Sequence, residues 1–373
     1  MKAPRPMADD VGKGTIALPE PGAASGRRAN RSDLRQSLVC PALIACTLIM
    51  TLAAGAQPPE PKGVAFDKRD NGLWMRRHWL HEDTAPAEIA ALVENLRARG
   101  IKRIYPFLGP PDPEGWPGWR SKAGIVRYSP ARVAAFFKEM HRIAPEIRVL
   151  PWSGGILDGD VNLKDESHRR AFIEHAKRLV ALGAGGIHLN IEPLPSGTAG
   201  YLALLRDVKA AIGDQTLSVA AYPPPTPLQP VEDVHWRLPF MRDVCGAADE
   251  LAVMAYDTGV TSAPVFENLA AEWTRDLGAA LPPRKAGGCE WLMGVPAYDD
   301  DKDYHRPDVE TIENSLKGII AGLRAAGEPE NFRGVAIYAS FTMDEHKWAV
   351  YDRLWRGVEP VALPPPDLRN TSE

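Results

Sequence analysis

From Gly72 onward, short runs of β-branched and aromatic residues alternate with longer amphipathic stretches. This alternation is expected of a parallel sheet whose strands are joined by crossover helices. Eight runs read as strands: 72–79, 102–108, 148–152, 186–192, 216–222, 250–256, 291–296 and 334–340. The stretches between them carry apolar stripes at helical spacing. Within 86–99, Ile89, Leu92, Val93 and Leu96 share one face, and within 166–182, Phe172, Ala176 and Leu179 do the same. Gly100, Gly183 and Gly213 stand where helices should end, as suits a residue that enters the left-handed region without a Cβ clash. The alternative is an open doubly wound sheet, but eight units without a glycine-rich phosphate turn after the first strand favour closure into a single (β/α)₈ TIM barrel.

Such a barrel needs about 250 residues. One domain over 72–358 therefore occupies most of the 373-residue chain, with 57–71 as a Pro-rich linker and 359–373 as a tail. Residues 1–56 have a different character. Arg27, Arg28, Arg31 and Arg35 precede an apolar run from Leu38 that ends at Ala54-Gly55-Ala56. Basic region, apolar region and small-residue site together read as a secretory signal peptide, which predicts a secreted or periplasmic protein. An uncleaved membrane anchor is the alternative, and a lipoprotein-type site at Leu43-Ile44-Ala45-Cys46 is a third. Cleavage would remove seven basic and four acidic residues, leaving a net charge of −7. That excess argues against nucleic acid and anionic membrane surfaces as partners. It would also leave two cysteines, Cys245 and Cys289, each just before a predicted strand, the sixth and the seventh. Neighbouring strands would place both near the bottom of the barrel, either as a disulfide or as two buried thiols.

Chemistry in this fold sits at the C-terminal ends of strands. In 186–192 the period of two sends Ile187, Leu189 and Ile191 to one face and His188, Asn190 and Glu192 to the other. The apolar set must face the helices, so the polar set points inward. A buried carboxylate is costly without partners, which favours a cavity-facing role for Glu192, whereas His188 equally fits a satisfied internal network. Met254-Ala255-Tyr256-Asp257 and Gly294-Val295-Pro296-Ala297-Tyr298-Asp299 likewise end apolar strands with a phenol and a carboxylate. Trp152, Tyr222 and Tyr338 arrive at other strand ends. Aromatic faces round a rim of carboxylates suit a sugar, with flat surfaces for the ring and acceptors for hydroxyls. Pro110, Trp116, Pro117 and Trp119 mark a loop after the second strand that either lines a subsite or packs on the surface. No metal-ligand spacing and no phosphate loop is present, so no cofactor is implied.

In this order the motifs resemble the glycoside hydrolase family 18 superfamily of chitinases, endo-N-acetylglucosaminidases and their non-catalytic relatives. Ser153-Gly154-Gly155 is similar to the family's S-x-G-G, the fourth strand to D-G-x-D-x-D-x-E, and Met254-Ala255-Tyr256-Asp257 to M-x-Y-D. Gly294-Val295-Pro296-Ala297-Tyr298 resembles G-V-P-x-Y, and Gly334-Val335-Ala336-Ile337-Tyr338 resembles G-V-x-x-W. The resemblance implies that Glu192 is the general acid, that Tyr256 and Asp257 position the sugar, and that the nucleophile is the substrate's own acetamido carbonyl. It also implies that Asn190 stands where an aspartate accepts the acetamido N–H. His188, Trp152, Tyr222, Tyr298 and Tyr338 would complete the substrate-binding set. The departures are specific: Gly185, His188 and Asn190 replace the three aspartates, and Tyr338 replaces a tryptophan. Asn190 can accept the acetamido bond only as a neutral group, and charge-assisted bonds are roughly twice as strong. Three readings follow: a secreted glycoside hydrolase working through Glu192, with or without Asp257 as base or nucleophile; a non-catalytic glycan-binding protein; and a scaffold with a vestigial pocket.

Overall fold

A computed structural model describes residues 66–121 and 124–363, with the side chains of 119–125 left aside. The leader and most of the linker lie outside the described residues, as does the tail beyond Leu363. The strands are β1 Asn71–Met75, β2 Ile101–Pro106, β3 Gly118–Ser121, β4 Gly124–Arg127, β5 Arg148–Val149, β6 Trp152–Ile156, β7 Gly186–Glu192, β8 Thr216–Ala221, β9 Glu250–Val253, β10 Glu290–Pro296 and β11 Phe332–Tyr338. All but β3 and β4 lie in one parallel sheet of order β5-β2-β1-β11-β10-β9-β8-β7-β6.

The two terminal strands of that order are consecutive in the chain, so the sheet closes on itself. β5 pairs with β2 and β6 with β7, and only Leu150 and Pro151 separate them. Proline has no N–H for the ladder, and this interrupts the strand. Bonds from Leu150 N–H to the Ile104 carbonyl and from His188 N–H to the Pro151 carbonyl carry the ring across the gap. The chain therefore folds as a (β/α)₈ barrel, with the run expected as one strand over 148–152 bent into two.

Period-two alternation separates the layers. Leu73, Met75, Ile187, Leu189 and Ile191 belong to the outer cluster between sheet and helices. Trp74, Tyr105, Phe107, Leu150, Trp152, Ala252, Leu292 and Ala336 fill the interior. The helices follow the expected stripes. Pro86–Ala98 buries Ile89, Leu92, Val93 and Leu96, and Glu166–Ala181 buries Phe172, Ala176 and Leu179. Gly100, which follows the first of these, has φ +66°.

Three features depart from the sequence expectation. The loop after β2 folds into the antiparallel hairpin β3–β4, and Trp116 packs beneath the Arg178 guanidinium, 4.0 Å from the ring centroid. The last residues of the expected linker are structural: Phe66 is buried, Asp70 pairs with Arg103 and Arg333, and Asn71 already belongs to β1. The first residues of the expected tail are also tied down, since Val361 N–H donates to Asp352 and the Arg99 guanidinium to the Leu363 carbonyl. Cys245 and Cys289 form a disulfide, joining the helix Leu238–Ala247 to the start of β10. Among the described residues no helix is long and apolar enough to cross a membrane.

Candidate active site

The barrel interior is polar at its base and aromatic at its mouth. At the base the Arg103 guanidinium, fully buried, pairs with Asp70, Glu250 and Glu290. Burial opposes the Glu250 charge, but Arg103 and the donors around it hold the carboxyl below its usual value. Those donors are the Tyr105 hydroxyl at 2.7 Å and the Ser218 hydroxyl at 2.8 Å.

One layer up, the bond directions fix His188. Ser218 gives its proton to Glu250, so its oxygen accepts from His188 Nδ1 at 2.8 Å. His188 Nε2 is left as the acceptor for the Trp74 indole N–H at 3.2 Å. Burial drives the imidazole pKa down to about 3, consistent with a neutral ring making one donation and one acceptance. Both nitrogens are taken and the residue is wholly buried. His188, expected either among the substrate-binding residues or in a satisfied internal network, stands in such a network beneath Asn190.

The mouth begins with Asn190. Its amide lies close enough to Glu192 to favour the carboxylate, while its buried Oδ1 has no hydrogen-bond partner among the described residues. Glu192, at the last position of β7, is partly buried. Desolvation, reinforced by the Asp257 charge and only partly countered by Asn190, pushes its carboxyl up to about 7. Close strand approach makes this arrangement possible. A Cβ at Gly154 would lie 1.4 Å from the Asn190 carbonyl oxygen, and one at Gly294 would lie 2.8 Å from the Tyr256 ring. Only glycine fits at either position.

Tyr256 and Tyr338 stack with centroids 5.4 Å apart and planes 19° apart. Tyr338 also meets Trp74 edge-on at 5.8 Å and Trp152 at 6.2 Å. Tyr222, held edge-on by Trp236 at 6.0 Å, joins Tyr256 and Tyr338 in feeling the charge of both Glu192 and Asp257. Burial above all, with these charges adding to it, raises all three phenols well above their usual pKa, so they remain donors. The structure thus brings together Asn190, Glu192, Tyr222, Tyr256, Asp257 and Tyr338, with Trp152 packed beside Tyr338.

Tyr298 stands slightly apart. Its hydroxyl donates to Glu310 and accepts from the Asp257 N–H at 3.4 Å, and one ring face is covered by His305. Asp257 itself has φ +62°, a left-handed conformation that aspartate tolerates better than most residues. Its carboxylate lies 3.0 Å from His305 Nε2. Glu310 takes the Thr258 N–H at 2.7 Å and the Thr258 hydroxyl, locking the turn after Asp257. Sequence reasoning passed over His305 and Glu310, which belong to the loop after β10, where no periodicity points inward. The signal available was one histidine in an acidic run, Asp299-Asp300-Asp301-Lys302-Asp303-Tyr304-His305. Among the described residues no group of three or more His, Cys, Asp and Glu side chains could hold a metal ion.

No family profile matches the sequence, and no curated protein matches it. Solved structures do match in shape. The spore cortex-lytic enzyme SleL of Bacillus cereus superposes with a TM-score of 0.52 at 12% identity, covering 77% of this chain and 74% of its own. A chitinase from Chromobacterium violaceum gives 0.50 at 14% identity, covering 77% and 98%. At these identities the likeness establishes the fold alone, a (β/α)₈ barrel.

Proposed function

We propose that this protein hydrolyses glycosidic bonds in a polysaccharide or oligosaccharide, with Glu192 as the general acid. The observation that carries the reading is a carboxyl at the mouth of the barrel, held near neutrality by burial, among phenols and beside a second carboxylate. A group with pKa near 7 is protonated often enough to donate and ionised easily enough to take a proton back. Glu192 would pass its proton to the leaving glycosidic oxygen, and its carboxylate would then deprotonate the attacking water. The stacked Tyr256 and Tyr338, with Trp152 beside them, offer aromatic surface for a sugar ring. The shared fold with proteins described as a chitinase and a cortex-lytic enzyme supports the same class of reaction.

The unpartnered Asn190 Oδ1 favours a sugar bearing an acetamido group. That oxygen is free to accept a substrate N–H, and the acetamido carbonyl could then attack the anomeric carbon. The alternative without an acetamido group uses Asp257 as nucleophile or base. Secretion through the N-terminal leader belongs to the same proposal.

Mass spectrometry of products from acetylated and non-acetylated glycan oligomers tests the reading. Cleavage of acetylated oligomers alone supports assistance by the substrate, and cleavage of both supports the two-carboxylate route. Binding by calorimetry without any product, given the replaced aspartates, would instead establish a non-catalytic glycan-binding barrel.

A further inference from the structure

Behind Asp257 lies a set of contacts that the hydrolytic reading leaves unused. The His305 ring lies flat on Tyr298, with centroids 3.9 Å and planes 7° apart, and Tyr304 meets it edge-on at 4.6 Å. Its Nε2 is 3.0 Å from Asp257 Oδ1, and its Nδ1 is 3.1 Å from Asp300 Oδ1. Ionised carboxylates only accept hydrogen bonds, whereas a neutral imidazole has one donor and one acceptor. Two carboxylate contacts on opposite nitrogens therefore call for an N–H on each, which is the imidazolium. This contrasts with His188, whose two partners accommodate a neutral ring.

We propose that His305 is a positioning residue for the candidate active site, an imidazolium clamped between Asp300 and Asp257 that fixes the Asp257 carboxylate and tempers the charge it presents to Glu192. The catalytic meaning of this clamp rests on the hydrolytic reading; its protonation state does not. The surrounding groups are consistent with it. Lys302 Nζ lies 2.5 Å from the other Asp300 oxygen, so Lys302, Asp300, His305 and Asp257 alternate in sign and sum to zero. Arg306 is occupied by Asp301 at 2.8 Å, and Glu310 by Tyr298 and Thr258. Burial opposes the imidazolium, but the two carboxylates outweigh it and raise the His305 pKa above its usual value. Without that cation, Asp257 would face Glu192 as an unbalanced like charge.

The test uses the full chain labelled with ¹⁵N in histidine and ¹³C in the glutamate carboxyl, followed by NMR across pH. His305 should show two protonated ring nitrogens at pH 7. Asp300→Asn should lower its proton affinity about tenfold or more, one pKa unit being a factor of ten. His305→Gln should raise the Glu192 midpoint by roughly half a unit or more, because a nearby cation is lost. The Glu192 resonance is assigned by its disappearance in Glu192→Gln. A neutral imidazole at pH 6, or an unmoved Glu192 midpoint in folded His305→Gln, overturns the proposal. If His305→Gln does not fold, the Asp300→Asn titration decides alone: an unchanged His305 midpoint overturns the clamp. A chain that cleaves no glycan yet gives the expected titrations would refute the hydrolytic reading and leave the clamp standing.

Discussion

Glu250 and Glu192 project into the same ring of strands from its opposite ends. Glu250 is held by Arg103, Tyr105 and Ser218, and its carboxyl is kept ionised despite complete burial. Glu192 has the Asn190 amide to favour its charge and Asp257 to oppose it, and its carboxyl rises to about 7. The residue type is the same, and Glu192 is the less enclosed of the two, yet its carboxyl is the one that rises, so the difference lies in the partners supplied. Glu250 is surrounded by donors that hold its charge, whereas Glu192 is left short of them, which is what the proposed acid would need.

The sharpest way to break this comparison is Glu192→Gln. Turnover on a cleavable glycan should fall about 10²- to 10⁴-fold, the usual contribution of general acid–base catalysis, while calorimetry should find binding nearly intact. Equal turnover would remove Glu192 from the chemistry. At the base, Arg103→Met strands Glu250, and chemical denaturation should show a loss of about 3–5 kcal/mol, the range for breaking a buried ion pair. A loss below about 1 kcal/mol would mean that the base carboxylate does not depend on its partner.

The pH dependence of stability should carry the opposite sign at the mouth. Because the Glu192 carboxyl is raised in the folded state from 4.5 to about 7, the folded chain holds its proton more tightly than the unfolded one. That carboxyl therefore lowers stability progressively as pH climbs from 4.5 to about 7, and the full penalty persists above. Glu192→Gln should accordingly gain about 1–3 kcal/mol over the parent at pH 8 and almost nothing at pH 4. For turnover, the same carboxyl predicts a rate that declines above about pH 7 as the acid ionises. The smallest effect is expected from Trp74→Phe. It leaves His188 Nε2 without its donor and should cost about 1 kcal/mol in a denaturant melt, with the alkaline limb of the rate profile unmoved.

Most of the barrel was legible because its strands obey a strict alternation. Ile187, Leu189 and Ile191 could be separated from His188, Asn190 and Glu192 by counting, and the structure divides them the same way. The break at Leu150-Pro151 was less visible, since an apolar run with one proline reads as a single short strand until its neighbours are known. The hairpin β3–β4 was hidden among prolines and tryptophans that read equally well as an irregular loop. At the site, strand ends announced themselves through period and position. His305 and Glu310 did not, because their roles depend on a loop folding back across two strands. His188 shows the remaining ambiguity: counting places it inside the ring, but only Trp74 above and Ser218 below show that it is spoken for.

The segment from Phe66 to Asp70 has a consequence for orientation. It is anchored by the Asp70 pairs with Arg103 and Arg333, beside the residues that open β2 and β11, and the described chain also ends there, with Leu363 held by Arg99. Both ends of the described chain therefore lie at the floor of the barrel, the pole opposite Glu192. A partner or surface that grips either end of the described chain would do so at the pole away from Glu192.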